Sequence, residues 1–360
     1  MNAMLEALEL DRYRGFGSYC VADLACVNLL VGKNNCGKTS ILEAVELLVS
    51  GGHVSALLES AVRRGEIDES VSYGVDVSHV FYGHSCTPGA GFELSSSGSQ
   101  LRLEGKILPL EDIGDTTAER WSVMAKRRMR FDSDDEPPIA FGLSLVPDGQ
   151  QPTVFPITEN GLLLDRFRAH PGRNGYSSRV TRFVDFKPSS MRNAWNDVLA
   201  EGREAEIVEA MRILMPELDS IHFLTGGRRN GILVGHRNVK TRFPVGSYGD
   251  GMRRLLAISL ALVSTKDGCL LIDEIDTGLH WTVMEDMWRL VVEAAQHSNV
   301  QVFATTHSLD CVRGLGTLTR SRPDLAKLVA IQKVHQSLKQ AVCVPGEEIP
   351  IAMEQDIEVR

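Results

Sequence analysis

At 360 residues the chain suits one core with a substantial insertion better than two large independent domains. Its hydrophobic content of 43% is that of an ordinary folded protein, and no stretch approaches the roughly 20 uncharged apolar residues that span a bilayer. A net charge of −9 excludes a protein coated in base for indiscriminate nucleic-acid binding.

The opening MNAMLEALELD is acidic where a secretion signal is basic, so the protein is expected in the cytoplasm. Its seven cysteines, Cys20, Cys26, Cys36, Cys86, Cys269, Cys311 and Cys343, contain no C-x-x-C pair. Their odd number fits reduced thiols, not a disulfide frame or a zinc site. Lys126, Arg127, Arg128 and Arg130 form one basic cluster, and Arg228, Arg229, Arg237, Lys240 and Arg242 a looser second one. Either is a solvated surface or a local nucleic-acid face.

Apolar runs ending in VNLLVG (residues 27–32) predict strands, and SILEAVELLV (40–49) predicts a helix. From about residue 73 to 186 the pattern changes to short alternating segments, LRLEGKI, IAFGLSLV and PTVFPI, broken by Gly, Ser and Pro and by the acidic turn DSDDEPP at 132–138. This predicts a β-rich insertion. Two amphipathic helices are expected within 190–215, stopped by Pro216, then strands near 221–224 and 231–234. The remainder alternates: helix 252–263, strand 269–272, helix 282–295, strand 300–304, helix 309–315, with closing strands in 325–332 and 340–344. Such alternation predicts an α/β core whose sheet is mostly parallel and flanked by helices. The expected organisation is an N-terminal part of the core (1–85), a β-rich lobe (86–189) and a C-terminal part of the core (190–360).

The segment GKNNCGKT at 32–39 fits G-x-x-x-x-G-K-[ST] at every fixed position, and it lies between a strand and a helix as a phosphate loop requires. Gly32, Asn34, Asn35, Cys36, Gly37, Lys38, Thr39 and Ser40 are the candidate nucleotide contacts. The glycines let backbone N–H groups converge on phosphates at a helix N-terminus. Lys38 is expected to reach the β and γ phosphates, and Thr39 to offer its hydroxyl to Mg²⁺. Cys36 inside the loop reads as a small tolerated residue. The strand at 269–272 ends in Asp273 and Glu274, two adjacent acids that are costly at a buried strand tip unless a cation or phosphate site uses them. Asp273 is the expected metal ligand and Glu274 the group that polarises water. Ser247, Gly249 and Gly251 in SYGDG open a helix and form a second anion-binding corner, although an ordinary helix cap looks similar. In VQVFATTHS (300–308), His307 ends a strand and is the candidate sensor of the γ-phosphate.

In order, GKNNCGKT, SYGDGMRR, LLIDEIDTGLH and ATTHS resemble the Walker A, signature, Walker B with D-loop, and switch-histidine motifs of ABC-type AAA ATPases. The likeness is to the SMC/RecF/OLD group, including stand-alone bacterial ATPases linked with phage defence. ELDRYRGFGS (9–18) resembles the Arg-Gly-Phe segment that precedes Walker A there. The chain carries Ser247-Tyr248-Gly249-Asp250-Gly251 where a transporter subunit usually has L-S-G-G-Q, and no glutamine follows the first helix before Gln100. The resemblance implies a P-loop ATPase head that hydrolyses ATP with Mg²⁺ and closes as a nucleotide-sandwich homodimer. Ser247 and Gly249 would then contact the γ-phosphate held by the other copy, and Asp276 would lie at the interface. It also implies control of a separate effector or nucleic-acid-processing partner, with no membrane association. The nuclease module of the OLD-like relatives that cleave nucleic acid has no counterpart after His307, so the chain is expected not to cut nucleic acid itself.

Three other readings fit less well. A GTPase needs [NT]-K-x-D, and Thr265-Lys266-Asp267 lacks the spacer. A kinase has no use for SYGDG or the late histidine, and a module that binds ATP without turnover has no need of both Lys38 and Glu274. A RecF-type DNA-repair ATPase shares every motif and is the alternative within the same group.

Overall fold

The computed structural model describes residues 5–66, 75–113, 139–158, 161–162, 181–224 and 231–354. The basic cluster at 126–130, the acidic turn at 132–138, and Arg228 and Arg229 lie outside the described residues. The chain divides into two compact units, one of residues 1–6, 21–42 and 179–360, the other of residues 7–20 and 43–178.

The first unit is built on a six-stranded sheet. In spatial order it runs β16 (Val342–Pro345), β15 (Val329–Lys333), β3 (Val27–Val31), β14 (Gln301–Thr305), β13 (Cys269–Ile272) and β9 (Thr181–Phe183). Every pairing is parallel except that of β15 with the edge strand β16. Strands β3, β13 and β14 are buried along their whole length, the condition under which a parallel strand carries a continuous apolar run with no alternation. Helices supply the crossovers: α1 (Lys38–Val49), α5 (Asp250–Ser264), α6 (Met284–Ser298) and α7 (Leu309–Ser321). On α6 the residues Met287, Trp288, Val291, Val292 and Ala295 recur at helical spacing and are fully buried. The Trp288 indole N–H donates to the Cys311 carbonyl at 2.9 Å, which satisfies it inside the core. Helix α6 stops at Asn299, whose left-handed conformation lets its N–H close on the Ala295 and Gln296 carbonyls. Helix α7 starts where the Ser308 hydroxyl accepts from the Cys311 N–H.

Ahead of α5 stand α3 (Pro188–Ala200), α4 (Glu204–Arg212) and a small antiparallel sheet of β10 (Leu218–Leu224), β11 (Gly231–His236) and β12 (Phe243–Pro244). The closing strand expected over 325–332 begins only at Val329. Pro323 sits at the first turn of the short helix Pro323–Ala326, which places Leu325 and Ala326 in that helix.

The second unit contains a seven-stranded sheet in the order β2 (Phe16–Val21), β1 (Leu8–Tyr13), β4 (Gly91–Ser96), β5 (Leu101–Pro109), β6 (Ile139–Pro147), β7 (Thr153–Thr158) and β8 (Gly161–Leu162). The pairings from β1 to β8 are antiparallel. The parallel expectation, made for the crossover-built core sheet, holds there, while the sheet of the second unit is antiparallel, with β4–β5 and β6–β7 joined by short turns. Strands β4 and β5 alternate, turning Phe92, Leu94, Leu103 and Ile107 inward. Gly105 leaves room for the Phe92 ring, since a Cβ there would lie 2.2 Å from it. Helix α2 (Val54–Arg63) falls where no element was expected. It brings Ser60 to Glu43, which is buried and also paired with Arg14 and Arg64 at 2.8 Å each. No helix among the described residues is long and apolar enough to cross a membrane.

Candidate nucleotide site

The loop between β3 and α1 is shaped by backbone that only particular residues adopt easily. Gly32 has φ 145° and Gly37 φ 95°. A Cβ on Gly32 would lie 2.5 Å from the Val334 carbonyl oxygen and 2.8 Å from Cys36 Sγ, so no side chain fits. Asn35 takes a left-handed φ of 62°, which asparagine tolerates better than most residues. Lys33, Asn34 and Asn35 are exposed, Cys36, Lys38 and Ser40 are buried, and Gly37 and Thr39 are half-buried.

Lys38 curls back over this loop. Its Nζ donates to the carbonyls of Gly32 and Lys33, both at 2.9 Å, and lies 3.8 Å from Cys36 Sγ. Burial lowers its pKa from the ordinary lysine value, against the opposing pull of Cys36, Asp273 and Glu274. Nζ also approaches His307 Nδ1 at 3.3 Å. The ammonium donates in this contact, and the other ring nitrogen, Nε2, stands 3.9 Å from Glu274 Oε1. His307 thus lies between the loop lysine and the second acid of the 269–274 strand.

The Thr39 hydroxyl donates to Asp273 at 3.1 Å, joining the start of α1 to the tip of β13. Two residues that the sequence had not singled out hold the acids in place. Thr305 donates its hydroxyl to Asp273 Oδ1 at 2.5 Å and accepts the Glu274 N–H at 2.8 Å. Thr306 donates to Asp276 at 2.5 Å and accepts the Ser308 N–H at 2.9 Å. Both threonines are 1% exposed, so each buried hydroxyl needs partners, and the paired Thr-Thr at the strand end was the available signal. Glu274 has a left-handed φ of 49°, a conformation costly for a non-glycine residue. The Thr305 bond and a Thr277 hydroxyl donating to Glu274 Oε2 at 3.1 Å hold it there.

Lys38, Thr39, Asp273, Glu274 and His307 therefore converge. The signature residues do not join them within one copy. Ser247 and Gly249 are exposed, and no hydrogen bond among the described residues links them to the loop. Gly249 turns the chain into α5 with φ 88°. Gly251 packs beside the 276–279 segment, where a Cβ would meet Leu279 at 3.2 Å. From the same turn, Arg254 lays its guanidinium 3.8 Å from the centroid of the Phe186 ring.

Residues 4–79 match the family described as an AAA ATPase domain. Residues 160–310 match the one described as AAA domain, putative AbiEii toxin, Type IV TA system. The two matches contain the phosphate loop and the acidic strand with its histidine. Both family descriptions are of AAA ATPase-type domains, and each match covers less than half of the chain. It is similar to an ATP/GTP phosphatase of Helicobacter pylori, 20% identical over 89% of each chain. It is also similar to the DNA replication and repair protein RecF of Acinetobacter baumannii, 25% identical over 84% of this chain and 91% of that one. Among solved structures, the SMC head domain from Thermotoga maritima aligns with a TM-score of 0.46 at 15% identity, covering 95% of this chain and 98% of that one. An SMC head bound to the C-winged helix domain of ScpA aligns with a TM-score of 0.48 at 14% identity, with the same coverage. The chain thus has an α/β architecture with a phosphate loop, and the families that match its two parts are ATPase-type domains.

Proposed function

We propose that the chain binds Mg-ATP at residues 32–40 and hydrolyses it as a switch between open and closed pairs of copies. The observation that carries this reading is the convergence of Lys38, Thr39, Asp273, Glu274 and His307 from three separate segments onto the mouth of one phosphate loop. Loop N–H groups and the α1 N-terminus would receive the phosphates. Lys38 would exchange its bonds to the Gly32 and Lys33 carbonyls for the β and γ phosphate oxygens. Thr39 and Asp273 form an oxygen pair of the kind Mg²⁺ prefers, and the ion would neutralise charge on the phosphates.

Glu274 would orient a water toward the γ-phosphorus and take its proton as the new P–O bond forms and the bond to the ADP oxygen breaks. His307, 3.3 Å from Lys38 on one side and facing Glu274 on the other, would report whether a γ-phosphate is present. Ser247, Gly249 and Gly251 are exposed or half-buried, and they would complete the site of a second copy. Closure and reopening of the pair would gate a separate effector or a nucleic-acid-processing partner. A role in phage defence rests on the motif resemblance alone; the family matched at 160–310 is described as a putative AbiEii toxin of a Type IV TA system. The RecF-type reading, a DNA-repair ATPase, predicts DNA-stimulated turnover where the first does not require it.

The test is phosphate release from Mg-ATP by purified chain and by Glu274→Gln. We expect the variant to be slower by about 10² to 10⁴ if the carboxylate acts as general base. Equal rates would remove Glu274 from the mechanism, and no turnover in the parent chain would remove the hydrolytic reading.

A further inference from the structure

Away from the nucleotide site, α3, α4, β10 and the C-terminal halves of α5 and α6 enclose a cavity of about 910 Å³. Its walls are mainly apolar, with Trp195, Leu199, Val208, Ile221, Leu290 and Ala294 among them. Trp195 is stacked on Phe223, their ring centroids 5.0 Å apart. Leu199 stands at the mouth with 51% of its surface in water. The cavity is thus an open groove with an unpartnered apolar lip.

Five carboxylates line it against one guanidinium, that of Arg212. Three of the acids are already matched: Glu206 by Arg203, Glu209 by Arg212 and Glu293 by Arg322. Glu204 and Asp219 have no ion pair among the described residues, and Glu204 Oε2 is buried without a hydrogen-bond partner there. The wall also contains Ser298, 2% exposed, whose hydroxyl lacks a partner among the described residues. A buried carboxylate oxygen and a buried hydroxyl left unpaired are costly, and both belong to residues that line the groove. Burial lowers the pKa of His222 and Arg242 acts in the same direction, against the opposing pull of Asp219.

We propose that this groove docks an amphipathic helix of a protein partner. Its apolar residues, at i, i+3, i+4 and i+7, would fill the Trp195–Leu199 side. Lysine or arginine residues at its edge would meet Glu204 and Asp219. The site lies where such a partner can read the nucleotide state. Helix α5 starts at the signature segment and ends in the groove at Val263, and α6 starts after the 273–280 segment and ends in the groove at Ser298. The docking claim does not depend on the hydrolytic reading, and its test uses protein without nucleotide.

The probes are fluorescein-labelled helical peptides of about 16 residues, roughly 24 Å long. One carries leucine at the stripe positions and lysine at the edges, a second has glutamate for lysine, and a third has serine for leucine. Fluorescence anisotropy with the full chain should show saturable binding of the leucine/lysine peptide and at least ten-fold weaker binding of the other two. Leu199→Asp should weaken the first peptide ten-fold or more. That variant makes the chain more acidic, so general attraction between a basic peptide and an acidic protein would instead strengthen binding. The double variant Glu204→Gln with Asp219→Asn provides a second reading at positions that need no repacking, with a several-fold loss expected. No saturable binding to the parent chain, equal binding of the lysine and glutamate peptides, or undiminished binding to both variants would overturn the proposal.

Discussion

Lys38 and Thr305 illustrate how single side chains set the chemistry of the loop. Lys38 is 5% exposed and braces the loop through two carbonyls while its charge remains available to phosphate. Lys38→Ala removes a charge-assisted contact worth about 1.5–3 kcal/mol, so titration calorimetry with Mg-ATP should show binding weaker by about 10- to 100-fold or absent. Unchanged affinity would contradict the assignment. Thr305 touches no substrate in the proposed mechanism and acts by positioning Asp273 and Glu274. Thr305→Val keeps its shape and removes both bonds, and losing such an outer partner typically costs about 10- to 100-fold. The loss should appear in kcat, with Thr305→Ser restoring it. Equal kcat in the two variants would show that the hydroxyl has no such role.

At the level of elements, α1 couples its first turn, which opens on the phosphate loop, to a buried acidic face further along. Glu46 on that face is buried against Arg63 of α2, and burial pushes its carboxyl up to about 7 from an ordinary 4.5. The folded state therefore keeps a proton on Glu46 over a range in which the unfolded chain has lost it. A folded-state pKa raised for an acid makes its contribution to stability fall as pH rises between about 4.5 and 7 and stay level above that. Glu46→Gln abolishes this slope. Its melting temperature relative to the parent should therefore rise by a few degrees between pH 5 and pH 8. A melting difference that is constant with pH would show that Glu46 ionises normally in the folded chain.

On the scale of the whole molecule, five site residues meet within one copy, while Ser247 and Gly249 remain exposed. A second copy that brings its signature segment to the first copy's phosphate loop would satisfy both. Sedimentation of Glu274→Gln with Mg-ATP should give a dimer, and adding Ser247→Arg should return it to monomer, since the larger side chain occupies the opposing phosphate site. A monomer in the single variant under saturating ATP would rule out the sandwich.

The phosphate loop and the acidic strand could be picked out because each is local, a strand followed within a few residues by the turn with its polar residues, so strand pattern and polar tip are read together. VNLLV before GKNNCGKT and CLLI before Asp273 and Glu274 needed no knowledge of partners. The sequence alone also determined the alternating core, whose buried parallel strands have to be continuously apolar. Tertiary structure decided which distant groups meet. Thr39 and Asp273 are 234 residues apart, and the support from Thr305 and Thr306 is visible only once β14 lies between β3 and β13. The N-terminal hairpin joins the sheet of the insertion through Leu10 opposite Leu94, a pairing that alternation leaves open because it specifies which face of a strand is buried but not its neighbour. The groove between α3, α4 and α6 was equally hidden. Amphipathic spacing shows that a helix buries one face, and only the packed chain shows where that face is left partly uncovered.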